Sequence, residues 1–390
     1  MDNKNNNYGV NELNHKELDM EKKDTDQFNH QEFKSINVDT EEHPLMESEM
    51  QGIVLEDEEL EHLFEPQCFK EATEIAEKQL FMSPRQIIMR RFFQNKLAVI
   101  GLCILIFMFI FSFVLPIFYP YSETELFYIH RETGERLRGY QTDLIGDSLL
   151  ARLQPVGSEN ILGTNEMGQD MLARLMYGGR VSLLVSMTVI FACLLIGITL
   201  GGLAGYFGGI IDMIVMRLCD IVASIPFIPL MFIVSSLMLV MSISPENKIF
   251  YTMIAIALLW WTMDARIVRG NLLYLRESEY MQAAKATGIK SRNQIFRHLL
   301  PNTLPSIIVN STLNLGGVIL LESVLSFLGV GVGIPFASWG NMVQSVNSNE
   351  VMRFHPHVWI APGLCILLVV LAFNFVGDGL RDATDPKARR

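Results

Sequence analysis

Residues 97–122, LAVIGLCILIFMFIFSFVLPIFYPYS, form an apolar run without a single charged side chain. A helix needs roughly 20 apolar residues to cross the hydrocarbon of a bilayer. Hydrocarbon offers the backbone no hydrogen-bond partner, so a crossing segment must be a helix or part of a closed barrel. Five further stretches qualify: 181–211, 221–245, about 248–268, about 303–325 and about 357–377. The fourth is the weakest, because Asp264 and Arg266 sit near its end. Pro226 and Pro229 predict a bend or a late start in the third. The expected architecture is therefore an all-α membrane protein with six transmembrane helices, in line with a chain that is 50% hydrophobic.

The formal net charge of −11 is concentrated at one end: residues 1–80 hold 22 Asp and Glu against 7 Lys and Arg. Residues 1–65 have few apolar side chains with which to offset the entropy of ordering. Residues 1–80 are therefore expected to be an acidic, mostly disordered cytoplasmic tail, either a solvated spacer or an interaction segment. No secretory h-region precedes the run that begins near residue 97. Residues 81–97 predict a basic amphipathic interfacial helix. Ser83 is placed to cap it, Pro84 suits its first turn, and Gln86 stands at capping-box spacing. Ile87, Ile88, Phe92 and Phe93 form its apolar side, and Arg85, Arg90, Arg91 and Lys96 suit an anionic membrane surface.

The remaining divisions are a first transmembrane helix at 98–119, an extracytoplasmic loop at 120–180, a five-helix core at 181–377 and a tail at 378–390. Lys and Arg near membrane spans mark the cytoplasmic side. The segment before the first span, residues 264–300 and the tail are the basic ones, and with six spans they fall together. Both termini are expected in the cytoplasm, with the chain a multi-pass protein of the plasma membrane.

Several chemistries are missing from the sequence. No G-x-x-x-x-G-K-[ST] loop is present to cradle a nucleotide, and no HExxH motif. The five cysteines form no CxxC pair, and His355 and His357 flanking Pro356 are a weak metal signal. Neither an enzyme nor a nucleic-acid binder is expected, and no cofactor. Within the spans Glu322 is the deep ionisable group, with Asn310 and Asn314 two to three turns earlier. It suits either a translocation path or an internal packing site. Gly197, Gly201, Gly205 and Gly209 recur every four residues and predict a close helix contact.

Between the fourth and fifth spans lies EYMQAAKATGIKSRNQIFRHLLPN, residues 279–302. Its first part, 278–287, predicts a helix with Tyr280, Ala283, Ala284 and Thr287 on one face, shallow enough for a partner's groove. Gly288 is placed to end that helix in the left-handed conformation. Ser291 would start a second helix with Gln294 in a capping box, and Pro301 and Asn302 would break the chain before the fifth span. A plain amphipathic loop on the membrane is the other reading of this segment.

The segment resembles the cytoplasmic EAA loop of ATP-binding-cassette importer permeases. Gln282, Ala283 and Ala284 stand at its E-A-A, followed by Gly288 and by His298, Leu299, Leu300 and Pro301, with Gln282 replacing Glu and His298 replacing Ile. The form Arg297 to Asn302 resembles the peptide-permease branch, and so do RRFFQNKLAVIG (90–101), LGTNEMGQDMLARLMYGGRVSLLV (162–185), SVLSFLGVGVGIPFASWGNMV (323–343) and GDGLRDATDPKARR (377–390). Together they are similar to the C-type subunits of oligopeptide and dipeptide importers.

This resemblance implies a type I importer permease fold and one half of a path for peptides. It implies a homologous permease subunit, two cytoplasmic ATPase subunits that bind ATP and Mg, and an extracytoplasmic peptide-binding protein. It also implies that the loop 270–302 couples to the ATPases through Tyr280, Met281, Gln282, Ala283, Ala284, Gly288, Arg297 and Pro301, with Glu322, Asn314 and Asn310 candidates for the path. Other expectations compatible with the motifs are nickel or another small solute as cargo. From a different class, a membrane scaffold or sensor could use the acidic tail.

Overall fold

The computed structural model describes residues 83–131, 133–134, 136–139, 148–157 and 160–384. The expectations for the acidic tail 1–80 and for the last residues of the chain lie outside the described residues.

Helix α1, Pro84–Gln94, opens with the Ser83 N–H donating to Gln86 Oε1 at 3.0 Å. It stops at Asn95, whose side-chain oxygen accepts from the N–H groups of Leu97 and Ala98 and so caps α2, Lys96–Phe118. A π turn at Ile110–Val114 interrupts α2. The link that follows is not all irregular: β1 (Leu126–His130) pairs antiparallel with β2 (Arg136–Gly139) and β3 (Ser148–Leu150), with Tyr128 opposite Leu137 and Leu150. Its edge-to-centre pattern of short strands was too brief to read from the sequence.

Then come α3 (Met171–Phe207), α4 (Gly209–Ser224), α5 (Phe227–Val240), α6 (Pro245–Arg276), α7 (Glu279–Ala286) and α8 (Ser291–Phe327). Two short helices, α9 (Trp339–Val343) and α10 (Asn349–Phe354), precede α11, Pro356–Thr384. Helices α2, α3, α6, α8 and α11 are each long and apolar enough to cross a membrane, and the bent pair α4–α5 makes a sixth span if taken as one.

Three boundaries depart from the sequence expectation. Helix α3 starts at Met171 rather than near 181, because Asp170 caps it by accepting from the Ala173 N–H at 2.7 Å. Its first turns carry polar groups that the link satisfies: Arg174, 5% exposed, donates to Gln169 Oε1 and to the carbonyls of Glu123 and Pro335. The third span, expected at 221–245, begins earlier as the pair α4–α5, and its 77° bend falls at Pro226, where a bend is expected. Pro226 has no N–H to donate and holds Ile225 extended (φ −76°, ψ 124°), which ends α4. Helix α6 runs on to Arg276 because its basic end finds acceptors. Arg269 clasps Asp212 through two bonds of 2.6 Å, and Arg266 reaches Asp220 at 3.0 Å.

The most extensive helix packing joins α3 to α6. Cβ atoms built on Gly197 and Gly205 would fall 2.7 Å from Asp264 Cβ and 2.9 Å from the Arg269 carbonyl, and one on Gly201 would strike the Ala265 carbonyl. Without hydrophobic drive between helices in lipid, contact this close supplies the dispersion energy that holds them. Gly209 does not share the stripe. Helix α3 ends at Phe207, Gly208 turns the chain with φ +68°, and a Cβ on Gly209 would meet nothing. A core of Val189, Cys193, Ile256 and Ala265 lines the seam, and a second gathers around Trp339 with Met171, Leu175, Ile319 and Val369.

Gly201→Leu is expected to force α3 and α6 apart, destabilising the protein by about 1–3 kcal/mol or more. Gly202→Ala, whose added Cβ meets nothing within 4 Å, is the control. Thermal unfolding in detergent checks the pair: Gly201→Leu should lower Tm and Gly202→Ala should not.

Candidate functional site

The elbow between α6 and α8 carries the residues singled out by the sequence. Helix α7 begins after Ser278 with Glu279 in its first turn, where a carboxylate suits the helix dipole. It ends in a Schellman arrangement: the Gly288 N–H donates to the Lys285 carbonyl at 3.0 Å and the Ile289 N–H to the Ala284 carbonyl at 3.2 Å. Gly288 takes φ +74° and a Cβ there would meet nothing, so backbone conformation rather than space is what asks for glycine.

The helix is seated by its inner face. Met281 (0% exposed) packs with Val268, Leu272, Leu299 and Ile307 from α6 and α8, and Ala284 is buried beside it. Tyr280, Gln282, Ala283, Thr287 and Gly288 are exposed. The face expected from Tyr280, Ala283, Ala284 and Thr287 is therefore split. Ala284 follows Met281 by three residues and turns inward with it, which leaves Tyr280, Ala283 and Thr287 outward.

Two further expectations are corrected here. Gln294 is not a capping-box partner of Ser291. It is buried, donating to the Ile289 carbonyl at 2.7 Å and accepting from the Tyr206 hydroxyl at 2.8 Å, because the end of α3 reaches it. Pro301 and Asn302 do not break the chain. A π turn at Gln294–Leu299 precedes Pro301, which then sits in the first turn of Leu300–Phe327, where a missing N–H costs little. Asn302 reinforces the passage by donating to the His298 carbonyl at 2.8 Å, and it reaches the Tyr280 hydroxyl at 3.4 Å. The fifth span and the second loop helix are thus one rod. Arg297 is exposed on it.

Beside the rod lies a hollow of about 400 Å³ lined by Tyr206, Arg276, Gln282, Lys285 and Ser291. Gln282 bonds its own chain there, donating to the Glu277 carbonyl at 3.1 Å, and Arg276 donates to the Tyr206 carbonyl at 3.0 Å. The elbow is a short helix packed on α3, α6 and α8 by its inner face, with Tyr280, Ala283 and Thr287 exposed on its outer face. It holds no nucleophile–base pair, and no group of three metal-ligating side chains occurs among the described residues.

The residues proposed for a path do not form one cluster. Glu322 is 3% exposed and accepts from Ser182 Oγ at 2.9 Å and Ser326 Oγ at 2.7 Å. Ser182 also receives the Trp339 N–H at 3.4 Å and Ser326 the Val332 N–H at 3.2 Å. Glu322 is thus an internal anchor that ties the segment after α8 to α3. Asn314 donates to Asp264 Oδ1 at 3.4 Å, and Asn310 to the Ser306 carbonyl at 2.9 Å. Asp264, which in the sequence only weakens the end of the fourth span, is 4% exposed against the glycine seam. The extra turns of α6 beyond it place it inside the bundle.

Residues 197–390 match the family of binding-protein-dependent transport system inner membrane components, and residues 83–137 match the N-terminal TM domain of oligopeptide transport permease C. The oligopeptide transport system permease protein OppC of Haemophilus influenzae is 38% identical over 300 residues, covering 77% of this chain and 88% of that protein. The dipeptide transport system permease protein DppC of Alkalihalophilus pseudofirmus is 36% identical over 308 residues, covering 79% and 91%. Among solved structures, an inward-facing MetNI methionine ABC transporter chain aligns with 55% of this chain and 98% of its own length, at 20% identity and a TM-score of 0.46.

Gly288→Val should unseat the end of α7, because a left-handed φ costs an ordinary residue about 1–2 kcal/mol and a β-branched one more. Hydrogen exchange at the Ile289 amide should quicken about tenfold, the factor that corresponds to about 1.4 kcal/mol. Exchange at the wild-type rate would show that Gly288 does not hold the cap.

Proposed function

The chain belongs to the family of binding-protein-dependent transport system inner membrane components, and on that premise we propose that it forms half of the translocation path of an ATP-driven importer of oligopeptides or dipeptides. It is a multi-pass membrane permease subunit of an ABC transporter, a family that works with ATPase and binding-protein partners. The observation that carries the peptide assignment is the 38% identity to an oligopeptide permease over 300 residues, with a match to the oligopeptide-permease N-terminal domain at 83–137.

In the proposed assembly a homologous permease supplies the other half of the path. Two ATPase subunits bind ATP and Mg in the cytoplasm, and an extracytoplasmic protein delivers the peptide. The termini and the α6–α8 elbow lie on the cytoplasmic side, as the basic residues 264–300 suggest. The outer face of α7, with Tyr280 and Ala283 at its centre, sits in a groove of an ATPase. Closure of the ATPases would push α7. Met281 and Ala284 key it into α6 and α8, and the passage through Pro301 is continuous, so the push would tilt the spans as rigid bodies. Gln282, bonded to its own backbone, contributes shape there rather than a charge. The chain itself does no covalent chemistry and binds no cofactor.

Ala283→Arg tests the docking. The side chain is exposed, so insertion and folding should be intact, while co-purification of the ATPases and uptake of a labelled peptide should both fall about tenfold or more, the cost of an unpaired charge at an interface. Normal co-purification would overturn the docking. The cargo is tested separately in proteoliposomes of the full assembly with its binding protein, where ATP should drive accumulation of a labelled oligopeptide. Accumulation of nickel ion instead would overturn the peptide assignment.

A further inference from the structure

Arg180 lies in α3 about two turns in from its first residue, level with the π turn of α2. Its guanidinium stands over the rings of Phe113 and Tyr177, 5.7 and 5.3 Å from their centroids. One nitrogen, Nη2, donates to the Phe113 carbonyl at 3.4 Å, while Nε is buried with no hydrogen-bond partner. Among the described residues no carboxylate lies within ion-pair distance of it. Glu123 is close enough for its charge to be felt, but one of its oxygens is engaged by the Ala337 N–H at 2.7 Å. Arg180 is therefore a cation in a membrane helix with an incomplete set of partners.

An apolar cleft of about 260 Å³ opens deeper in the membrane from this cation, lined by Leu105, Met108 and Phe109 of α2, Leu183 and Met187 of α3 and Phe373 of α11. Helices α2 and α3 run antiparallel here, so Leu183 and Met187 lie one and two turns below Arg180, as Phe109 and Leu105 lie below Phe113. The cleft is set among side chains turned outward: Ile106, Phe107, Phe109 and Ile110 are all exposed on α2, a helix with the length and composition to cross the bilayer. A hydrocarbon-lined cleft with an arginine one helical turn from its Leu183 edge matches one class of molecule in both parts. An acyl chain fits the cleft, and a phosphate accepts from the terminal nitrogens of the half-buried guanidinium. The rings of Phe113 and Tyr177 hold the guanidinium in place, and its long stem lets it reach the headgroup level.

We propose that the cleft between α2, α3 and α11, headed by Arg180, binds one anionic phospholipid of the leaflet on the side of residues 119–170. The acyl chain lies along Leu183 and Met187, and the phosphate accepts from Arg180. The positive charge, without a direct ion pair among the described residues, selects an anionic headgroup over a zwitterionic one. The site bridges α2 to α3 and so bears on how α2 is held to the rest of the bundle.

The full chain, assembled with its partner subunits in nanodiscs of phosphatidylcholine containing phosphatidylglycerol, provides the test, with retained lipid read by native mass spectrometry after detergent extraction. Phosphatidylglycerol should be retained in preference to phosphatidylcholine. Arg180→Gln should lower that retention about tenfold, as expected for loss of a charge-assisted bond. Arg180→Lys should keep most of it, and Leu183→Trp, which fills the cleft, should expel the lipid with Arg180 intact. Equal retention of the two lipids, or full retention in Arg180→Gln and Leu183→Trp, would overturn the proposal. So would an efficient cross-link from the Leu183→Cys variant to another subunit, since a protein helix would then cover the cleft.

Discussion

Hydrocarbon gives a peptide group nothing to bond to, and the described structure is organised by that constraint. Long helices satisfy their own backbone, so the bundle is left to assemble by contact. The seam between α3 and α6 is the most extensive contact: Gly197, Gly201 and Gly205 bring the backbone of one helix against Asp264, Ala265 and Arg269 of the other. Where the backbone cannot satisfy itself, a polar group stands by. Asp170 caps α3, Asn95 caps α2, and the π turn of α2 offers the Phe113 carbonyl to Arg180.

Polar side chains inside the bundle follow the same logic. Glu322 is enclosed with Ser182 and Ser326, and these two hydroxyls also receive backbone N–H groups from both ends of the segment 332–339. Burying a carboxyl is costly unless donors surround it, and here the donors are what attach that segment to α3 and α8. Basic residues at the other end of the bundle are treated similarly. Arg269 and Arg266 clasp Asp212 and Asp220 of α4, fastening the bent pair α4–α5 to the foot of α6. The elbow therefore rises from a braced base, a condition for any short helix that is to pass a push to membrane spans.

Much of this was open to inspection in the sequence. Uncharged runs announce spans because transfer of charge into hydrocarbon is so unfavourable. Gly288 announces a helix end because few other residues accept a positive φ. The errors share a cause. Helix α3 begins early and α6 ends late because distant groups supply the missing partners, the Pro335 carbonyl for Arg174 and Asp212 for Arg269, and Pro301 is passed without a break because a π turn rearranges the bonds ahead of it. The outer and inner faces of α7 could not be told apart by periodicity, since Ala283 and Ala284 are alike. Met281 meeting Leu272 and Leu299 decided the matter.

The sequence by itself determined that the chain crosses a membrane several times and that a capped helix interrupts it between two spans. Those features rest on local rules of length, charge and backbone conformation. Only the tertiary structure decided that Ala284 faces inward while Ala283 faces out, that Glu322 is an internal anchor, that Gly209 leaves the glycine seam, and that Arg180 stands over Phe113 and Tyr177 with its Nε unpartnered. Each depends on which side chain from a distant segment comes to rest against it. Packing settles that question, and no single stretch of sequence contains both sides of the contact.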